Sequence, residues 1–526
     1  MTSTLPTDVY LASSVHSHPS KLVSFGGSSV IRRLLGRMVP SGSIFERTVQ
    51  SGMWMGSIKV SSRILQLLML VVLARLLSPR DFGLVGIALI CVSATNKLTK
   101  IGLNAALIQQ AKENVDDYLD TCWCLEGVRG LLIFFGLFAL APHIAGFFGE
   151  PTATPIIQVI AVGPLLIGFR NPAVVYFQKN LEFHKEFVYF VSGSLVQFVV
   201  GIGYALVSPT VWALVFAYVA GDLTRFVMSY LINGYRPRPF IDVGAASELI
   251  HYGKWITASS IINFIYHKGD DTFVGWYLSA TALGFYQYAY NLADAPSTEV
   301  AEIVSKVTFP TYSKLQAQPD ALRDALLRTT RVTAVVTVPM ALGIALVAPS
   351  FVPVVLGAEW TPMILVLQLL AVYGLVHALT RNFASLWKAI GRPDYLAKLG
   401  TLRVITLGLL IWPATATWGI EGAALAALCA YLIPGFPLQV YITARETDMS
   451  SVAIYREYFY PLVAGMTMYA SLRYAMELLQ FPAWLELTVL VPAGALIYTT
   501  AVLVLDRQFN WGIEENVHAI VGGLKS

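Results

Sequence analysis

Fourteen apolar runs of about twenty residues follow one another from Gly52 to Leu505, and they decide what this chain can fold into. Each is long enough to cross a hydrocarbon core of ~30 Å as one helix. In hydrocarbon every backbone amide must be satisfied within the protein, which leaves only helices or a closed barrel. A barrel needs short alternating strands, and these runs are continuous. Charged residues make up only 13% of the chain, about half the ~25% of a soluble domain. The sequence therefore predicts an all-α polytopic membrane protein with about 14 transmembrane helices. The first six lie near 52–76, 82–106, 118–141, 153–176, 186–207 and 210–232. Six more lie near 253–276, 280–305, 328–349, 361–386, 393–413 and 418–442, and two last ones near 458–478 and 484–505. Pro209, Pro349 and Gly419 read as turns where a helix must stop.

The chain also echoes itself. Residues 52–88 return at 253–289 with a constant offset of 201 and no gap, matching Gly52 to Gly253, Trp54 to Trp255 and Ile64 to Ile265. Leu77-Ser78 matches Leu278-Ser279, Gly83 matches Gly284 and Ala88 matches Ala289. Further on, Ala141-Pro142, Gln158 and Arg170-Asn171 find counterparts in the same order at Ala348-Pro349, Gln368 and Arg381-Asn382. Two related halves are the simplest account.

The distribution of basic residues sets their orientation. With the N-terminus in the cytoplasm, 29 of the 36 Lys and Arg fall to the inner side or the tails, Arg170, Lys306, Arg381, Lys388 and Arg403 among them. Only Arg75, Arg80 and Arg473 fall outside. A missed span would scramble this asymmetry, so both termini are expected in the cytoplasm and the protein in the cell membrane. Spans one and seven then both begin inside, which makes the halves parallel repeats about a pseudo-two-fold axis along the membrane normal. The expected divisions are a polar and basic cytoplasmic tail (1–50), six helices (51–240), six more (241–445), and two further helices with a C-terminal tail (446–526). The tail lacks the apolar core of a secretory signal and has the composition of disordered chain. Its Arg32, Arg33, Arg37 and Arg47 suit either a short amphipathic segment on an anionic leaflet or a solvated tail. The net charge of +4 sits in loops and tails and makes no case for nucleic acid. Cys91, Cys122, Cys124 and Cys429 lack zinc or redox spacing and read as small buried hydrophobes.

Chemistry must rest on the polar residues left in the spans. Lys59, Arg63 and Gln66 share one face of the first helix. A basic residue at bilayer depth is costly unless it meets a wet cavity or an acid, and an Arg fork beside a Lys point charge suits a diphosphate. Lys59 also lies close enough to the helix end to snorkel. The seventh span holds Asn263, His267, Lys268, Gly269, Asp270 and Asp271, its densest polar cluster, with Gly269 a place for the helix to loosen. His267, Asp270 and Asp271 are candidates for ion coupling, and Asn263 and Lys268 for substrate contact. A plain Lys268–Asp ion pair explains the same residues. Arg129 on the third helix is a further cavity candidate, and Phe285, Tyr286, Tyr288 and Tyr290 with Asn291 suit a sugar path or an interfacial belt. No residue is assigned a catalytic or metal-binding role, and GxxxxGK[ST] is absent.

Several stretches together resemble a known family. They are ARLLSPRDFGLVGIA (Ala74 to Ala88), DDTFVGWYLSATALGFYQYAY (Asp270 to Tyr290), FPTYSKLQ (Phe309 to Gln316), VLGAEW (Val355 to Trp360) and AIGRPDY (Ala389 to Tyr395). In order, over roughly 45–510, they resemble oligosaccharide-lipid flippases of the polysaccharide transporter family, within the multidrug/oligosaccharidyl-lipid/polysaccharide exporter superfamily. The resemblance is greatest to the branch serving O-antigen and colanic acid. It implies two six-helix bundles in a V around a central cavity, plus two C-terminal helices. It implies transport of a polyprenyl-linked oligosaccharide from inner to outer leaflet by alternating access, coupled to H⁺ or Na⁺, with no cofactor. A cationic cavity is a feature of that family and carries over here to Lys59, Arg63 and Arg129. Membrane lipids, glycosyltransferases and a polysaccharide polymerase are the implied partners. The competing classes are a multidrug-type cation antiporter and a membrane glycosyltransferase or polymerase. The second needs a sizeable outer loop, and the longest here, near Pro142 to Thr152, offers only His143 and Glu150.

Overall fold

The computed structural model describes residues 44–99, 116–180, 182–244, 260, 264–265, 267–479, 482–509 and 511. The polar tail up to residue 43, Asn263 and most of the first half of the seventh span lie outside the described residues. Those described are mostly helical, with no strand among them. In chain order the helices are α1 (Ile44–Leu76), α2 (Pro79–Leu98), α3 (Asp116–Phe147), α4 (Ala153–Gly168), α5 (Pro172–Lys179), α6 (Phe183–Val207) and α7 (Trp212–Ile232). They continue with α8 (267–277), α9 (Ala280–Leu315), α10 (Pro319–Phe351), α11 (Ile364–Ala389) and α12 (Asp394–Ala430). The last are α13 (Phe436–Glu446), α14 (Ser451–Leu479) and α15 (Ala483–Phe509).

Among the described residues nine helices are long and apolar enough to span a membrane, or ten if α4 and α5, bent by 72° against each other, form one broken span. This chain is a multi-pass membrane protein. Part of the shortfall from fourteen reflects the seventh span, much of which lies outside the described residues, and part has physical sources. The sequence reads α4–α5 as one straight helix, but Asn171 caps a new turn there by accepting from the Ala173 amide. The stretch Asp394–Glu446 registers as one unit although Gly419, at φ 58°, ψ −133°, turns it back on itself. Only glycine takes that backbone conformation easily, so Gly419 does stop a helix, as Pro209 does between α6 and α7. Pro349 does not: α10 runs past it to Phe351. Nor does Gly269 loosen α8, which is helical throughout 267–277.

The repeated stretch turns out to be a joint. Ser78 and Ser279 both cap the helix that follows them, accepting from the amides of Asp81 and Ala282, and Pro79 sits at the first turn, where its missing N–H costs nothing. α2 then lies directly on α9. A Cβ on Gly83 would fall 1.7 Å from the Ala280 carbonyl oxygen, and one on Gly284 would fall 2.0 Å from that of Pro79. Offset by 201, Gly83 corresponds to Gly284 and Pro79 to Ala280, so the two contacts are one contact made reciprocally. Around them Trp360 is fully buried, donates to the Ala74 carbonyl at 2.9 Å, and has its ring centroid 4.2 Å from that of Tyr288. Arg75 donates to the Val355 carbonyl at 2.8 Å, tying the end of α1 to the turn after α10. Shared packing of this kind, through small residues, is what holds helices together where lipid offers no hydrophobic drive.

A second apolar cluster joins α10 and α11 to α14 and α15. There Glu457, 1% exposed, receives the Arg331 guanidinium at 2.7 Å and the Trp511 indole N–H at 2.6 Å. Outward, residues such as Leu132, Val207, Leu409 and Leu496 are exposed, as lipid-facing side chains must be. Of the cysteines, Cys122 is buried and the other three are half-buried; none is in a disulfide.

Any side chain at the joint must push two backbones apart. Gly83→Val and Gly284→Val should each destabilise the protein by about 1–3 kcal/mol, read as a lowered melting temperature in detergent. Gly136→Val, where a Cβ meets nothing within 4 Å, should leave it unchanged.

Candidate functional site

The cations predicted on α1 meet α9. Arg63 donates to the Asn291 carbonyl and to Gln66 Oε1, each at 3.0 Å, so Arg63 and Gln66 do share a face. One turn away Lys59 pairs with Glu302 of α9. The sequence singled out neither Glu302 nor its other partners. Lys306 Nζ lies 3.2 Å from Glu302 Oε1, and Arg381 of α11 lies 3.7 Å from Oε2. One carboxylate is thus shared by three cations on three helices, α1, α9 and α11. All four side chains are roughly a third to a half exposed, so the cluster is open to a ligand.

From Arg381 a half-open cavity of about 580 Å³ runs between α11 and α12. Lys388, Arg403, His267, His377 and Tyr431 line it, and none of its lining residues, among those described, is acidic. Its volume is in the range that encloses a multi-ring ligand, ~300–1,000 Å³. Arg403, which the sequence reading counted with the inner-side charges, is a buried residue of the cavity lining. It is 5% exposed within α12, donates to Tyr373 Oη, and holds its guanidinium 4.9 Å from the Tyr431 ring centroid. His377 Nδ1 faces Asp294 Oδ1 at 3.6 Å.

The polar cluster on α8 divides in two. His267 reaches the cavity, whereas the carboxylates turn into α9. Asp270 accepts from Tyr286 Oη at 2.9 Å. Asp271 accepts from Lys268 at 2.7 Å and from Gln287 at 3.1 Å. Both acids are under 5% exposed. Arg129 belongs elsewhere: it pairs with Glu126, one turn back on α3, at 2.6 Å. Tyr286 and Tyr288 are core side chains, while Asn291 is exposed beside Arg63. The AIGRPDY stretch is a locked turn. Gly391 takes φ 75°, Arg392 reaches Asp394 and Glu446 at 3.2 and 3.3 Å, and Tyr395 donates to Glu446 at 2.5 Å.

The cavity is thus lined by cations and aromatic rings, with Asp270 and Asp271 turned away from it. Residues 72–365 match the model of the polysaccharide biosynthesis protein family, and the chain belongs to that family. It is 28% identical over 397 residues to the lipopolysaccharide biosynthesis protein WzxC of Escherichia coli K12, covering 74% of this chain and 79% of that one. It is 26% identical over 449 residues to the succinoglycan biosynthesis transport protein ExoT of Rhizobium meliloti 1021, covering 83% and 88%. In three dimensions it resembles the lipid II flippase MurJ in an inward closed conformation, with a TM-score of 0.69 at 15% identity over 86% of this chain and 98% of that one.

Breaking a partly buried ion pair leaves one charge without its counter-charge, a cost reduced here because Lys268 is 41% exposed. Asp271→Asn should lower stability by about 1–2 kcal/mol, and adding Lys268→Met should recover most of it. Thermal melts of the single and double variants measure this. A double variant no more stable than Asp271→Asn would mean that the pair has no structural role.

Proposed function

We propose that this protein is a flippase. It moves a polyprenyl-(di)phosphate-linked oligosaccharide from the inner to the outer leaflet of the cell membrane during synthesis of a surface polysaccharide. The observation that carries this reading is the run of cations from Lys59 and Arg63, through Lys306 and Arg381, to Lys388 and Arg403, ending in a cavity of about 580 Å³. A diphosphate finds its counter-charges at one end of that run. Sugar rings find hydrogen-bond donors and the faces of aromatic residues in the rest. The names of WzxC and ExoT place relatives in polysaccharide synthesis and transport, and a relative in Haloferax volcanii carries the name "Probable low-salt glycan biosynthesis flippase Agl15". The chain is then a transporter and not an enzyme. A multidrug-type cation antiporter is disfavoured by charge: a cation entering this cavity meets cations.

In this mechanism the lipid tail stays in the bilayer while the diphosphate enters between two six-helix bundles, 51–240 and 241–445, where Lys59 meets Glu302, and the sugars lie along the cavity of the second bundle. The reciprocal contact of Gly83 and Gly284 supports that pairing of related halves. Both termini face the cytoplasm, so the Ser78/Ser279 end of α2 and α9 is the outer end and the Lys59–Glu302 cluster lies toward the inner one. Asp270 and Asp271, with His267 nearby, link opening to an H⁺ or Na⁺ gradient. Glycosyltransferases and a polysaccharide polymerase supply and consume the substrate.

Translocation in proteoliposomes tests this. Lipid-linked oligosaccharide is placed on one leaflet, and an impermeant glycosidase reports its arrival on the other. Protein-dependent transfer is expected, accelerated by an imposed ion gradient and reduced at least about tenfold by Arg63→Ala, the equivalent of one lost charge-assisted contact. Transfer by Arg63→Ala at the wild-type rate, with an unchanged melting curve, would refute the assignment of the diphosphate to this face.

A further inference from the structure

Glu302 is the most heavily contested acceptor in the cluster. Lys59, Lys306 and Arg381 all converge on its two oxygens. To a lysine or an arginine, a carboxylate and a phosphate offer the same thing, a pair of oxygen acceptors bearing negative charge. We propose that Glu302 is a resident stand-in for the ligand's oxyanion. A diphosphate takes over Lys59, Lys306 and Arg381, and the carboxylate swings aside. The flippase reading supplies only the diphosphate's source, a polyprenyl carrier; the displacement itself rests on the cluster.

The charges fit. Lys59, Arg63, Lys306 and Arg381 are four cations, and the acids facing them from α9 are Glu302, Glu299 within Coulombic reach of Lys59 and Arg63, and Asp294 within Coulombic reach of Arg63. The surplus is one positive charge, it becomes two once Glu302 swings aside, and a diphosphate esterified at both ends carries two negative ones. The geometry fits as well. Glu302 is 30% exposed, so water can receive it once it leaves. Arg381 belongs both to this cluster and to the cavity lining, so a diphosphate seated here starts its glycan into the cavity. The exchange has a mechanical result. The Lys59–Glu302 pair is one tie between α1 and α9, and a ligand that takes Lys59 for itself removes it, leaving Arg63 on the Asn291 carbonyl.

The test uses the full chain in lipid nanodiscs and isothermal titration with two probes, geranylgeranyl diphosphate and inorganic pyrophosphate, with geranylgeraniol as the uncharged control. Removing a competing charge a few ångströms from the ligand should strengthen binding, so Glu302→Gln is expected to bind the lipid diphosphate about tenfold more tightly than wild type. Glu302→Asp should restore the wild-type value, and Lys306→Gln should weaken binding. Competition by inorganic pyrophosphate supports an oxyanion site in its own right; its absence supports a site for the lipid carrier. An affinity unchanged or reduced in Glu302→Gln overturns the displacement, whereas no binding of either diphosphate to wild type overturns the flippase reading.

A second measurement needs no variant. A carbodiimide should couple Lys59 to Glu302 in the empty protein, and saturating geranylgeranyl diphosphate should cut the yield several-fold. The Lys398–Asp394 pair, at 2.8 Å, serves as the internal reference. A coupling yield that ligand does not lower also overturns the proposal.

Discussion

The contact between α2 and α9 sets the geometry that the other contacts inherit. Two glycines allow the backbones to touch, and each lies on the residue that matches its partner's neighbour in the other half. Nothing larger fits, because the opposing atoms are carbonyl oxygens rather than flexible side chains. Once α2 and α9 are fixed, α9 has its direction. A helix of 36 residues is about 54 Å long, and it presents Gly284, Asn291 and Glu302 successively to the first half of the chain. Trp360 and Arg75 secure the same end, and their hydrogen bonds go to backbone carbonyls, which side-chain variation cannot remove.

Charge is arranged along this axis with a consistent logic. Near the joint the interface is apolar or uses hydrogen bonds to backbone carbonyls, from Trp360 and Arg75. Further down, cations face open space, and their counter-charges are few and shared. The buried acids, Asp270 and Asp271, sit behind them, hydrogen-bonded to Lys268 on α8 and to Tyr286 and Gln287 on α9. Because a charge in a low-dielectric region must be matched or solvated, the cation run is the part of the protein most ready to accept an anion. This is why the proposed function rests there and not on the acids, whose bonds are already satisfied.

Much of this was legible in the sequence, for identifiable reasons. Continuous apolar runs leave helices no competitor, so helix existence was plain. Boundaries moved where a local device overrode the pattern, as with Asn171 capping a turn inside an apparently continuous span. Lys59, Arg63 and Gln66 were visible because their spacing places them together on one helix. Glu302, Lys306 and Arg381 were not, because their meaning depends on three helices meeting, and each taken singly resembles a charge near a span end. The surroundings of Arg403 were hidden for the same reason: only Tyr373 and Tyr431, from other segments, explain why a buried arginine is tolerated there. The polar run on α8 was found, yet its periodicity could not tell that His267 faces a cavity while the carboxylates face α9.

The central claim is that the α2–α9 joint and the cation cluster are opposite ends of one rocking interface. It is tested most directly by double electron–electron resonance on two spin-label pairs, one joining Arg80 to Glu359 beside the joint and one joining Arg236 to Lys398 at the other end. On addition of lipid-linked oligosaccharide the account predicts that one distance lengthens as the other shortens. Distances that stay fixed, or that lengthen together, would contradict it.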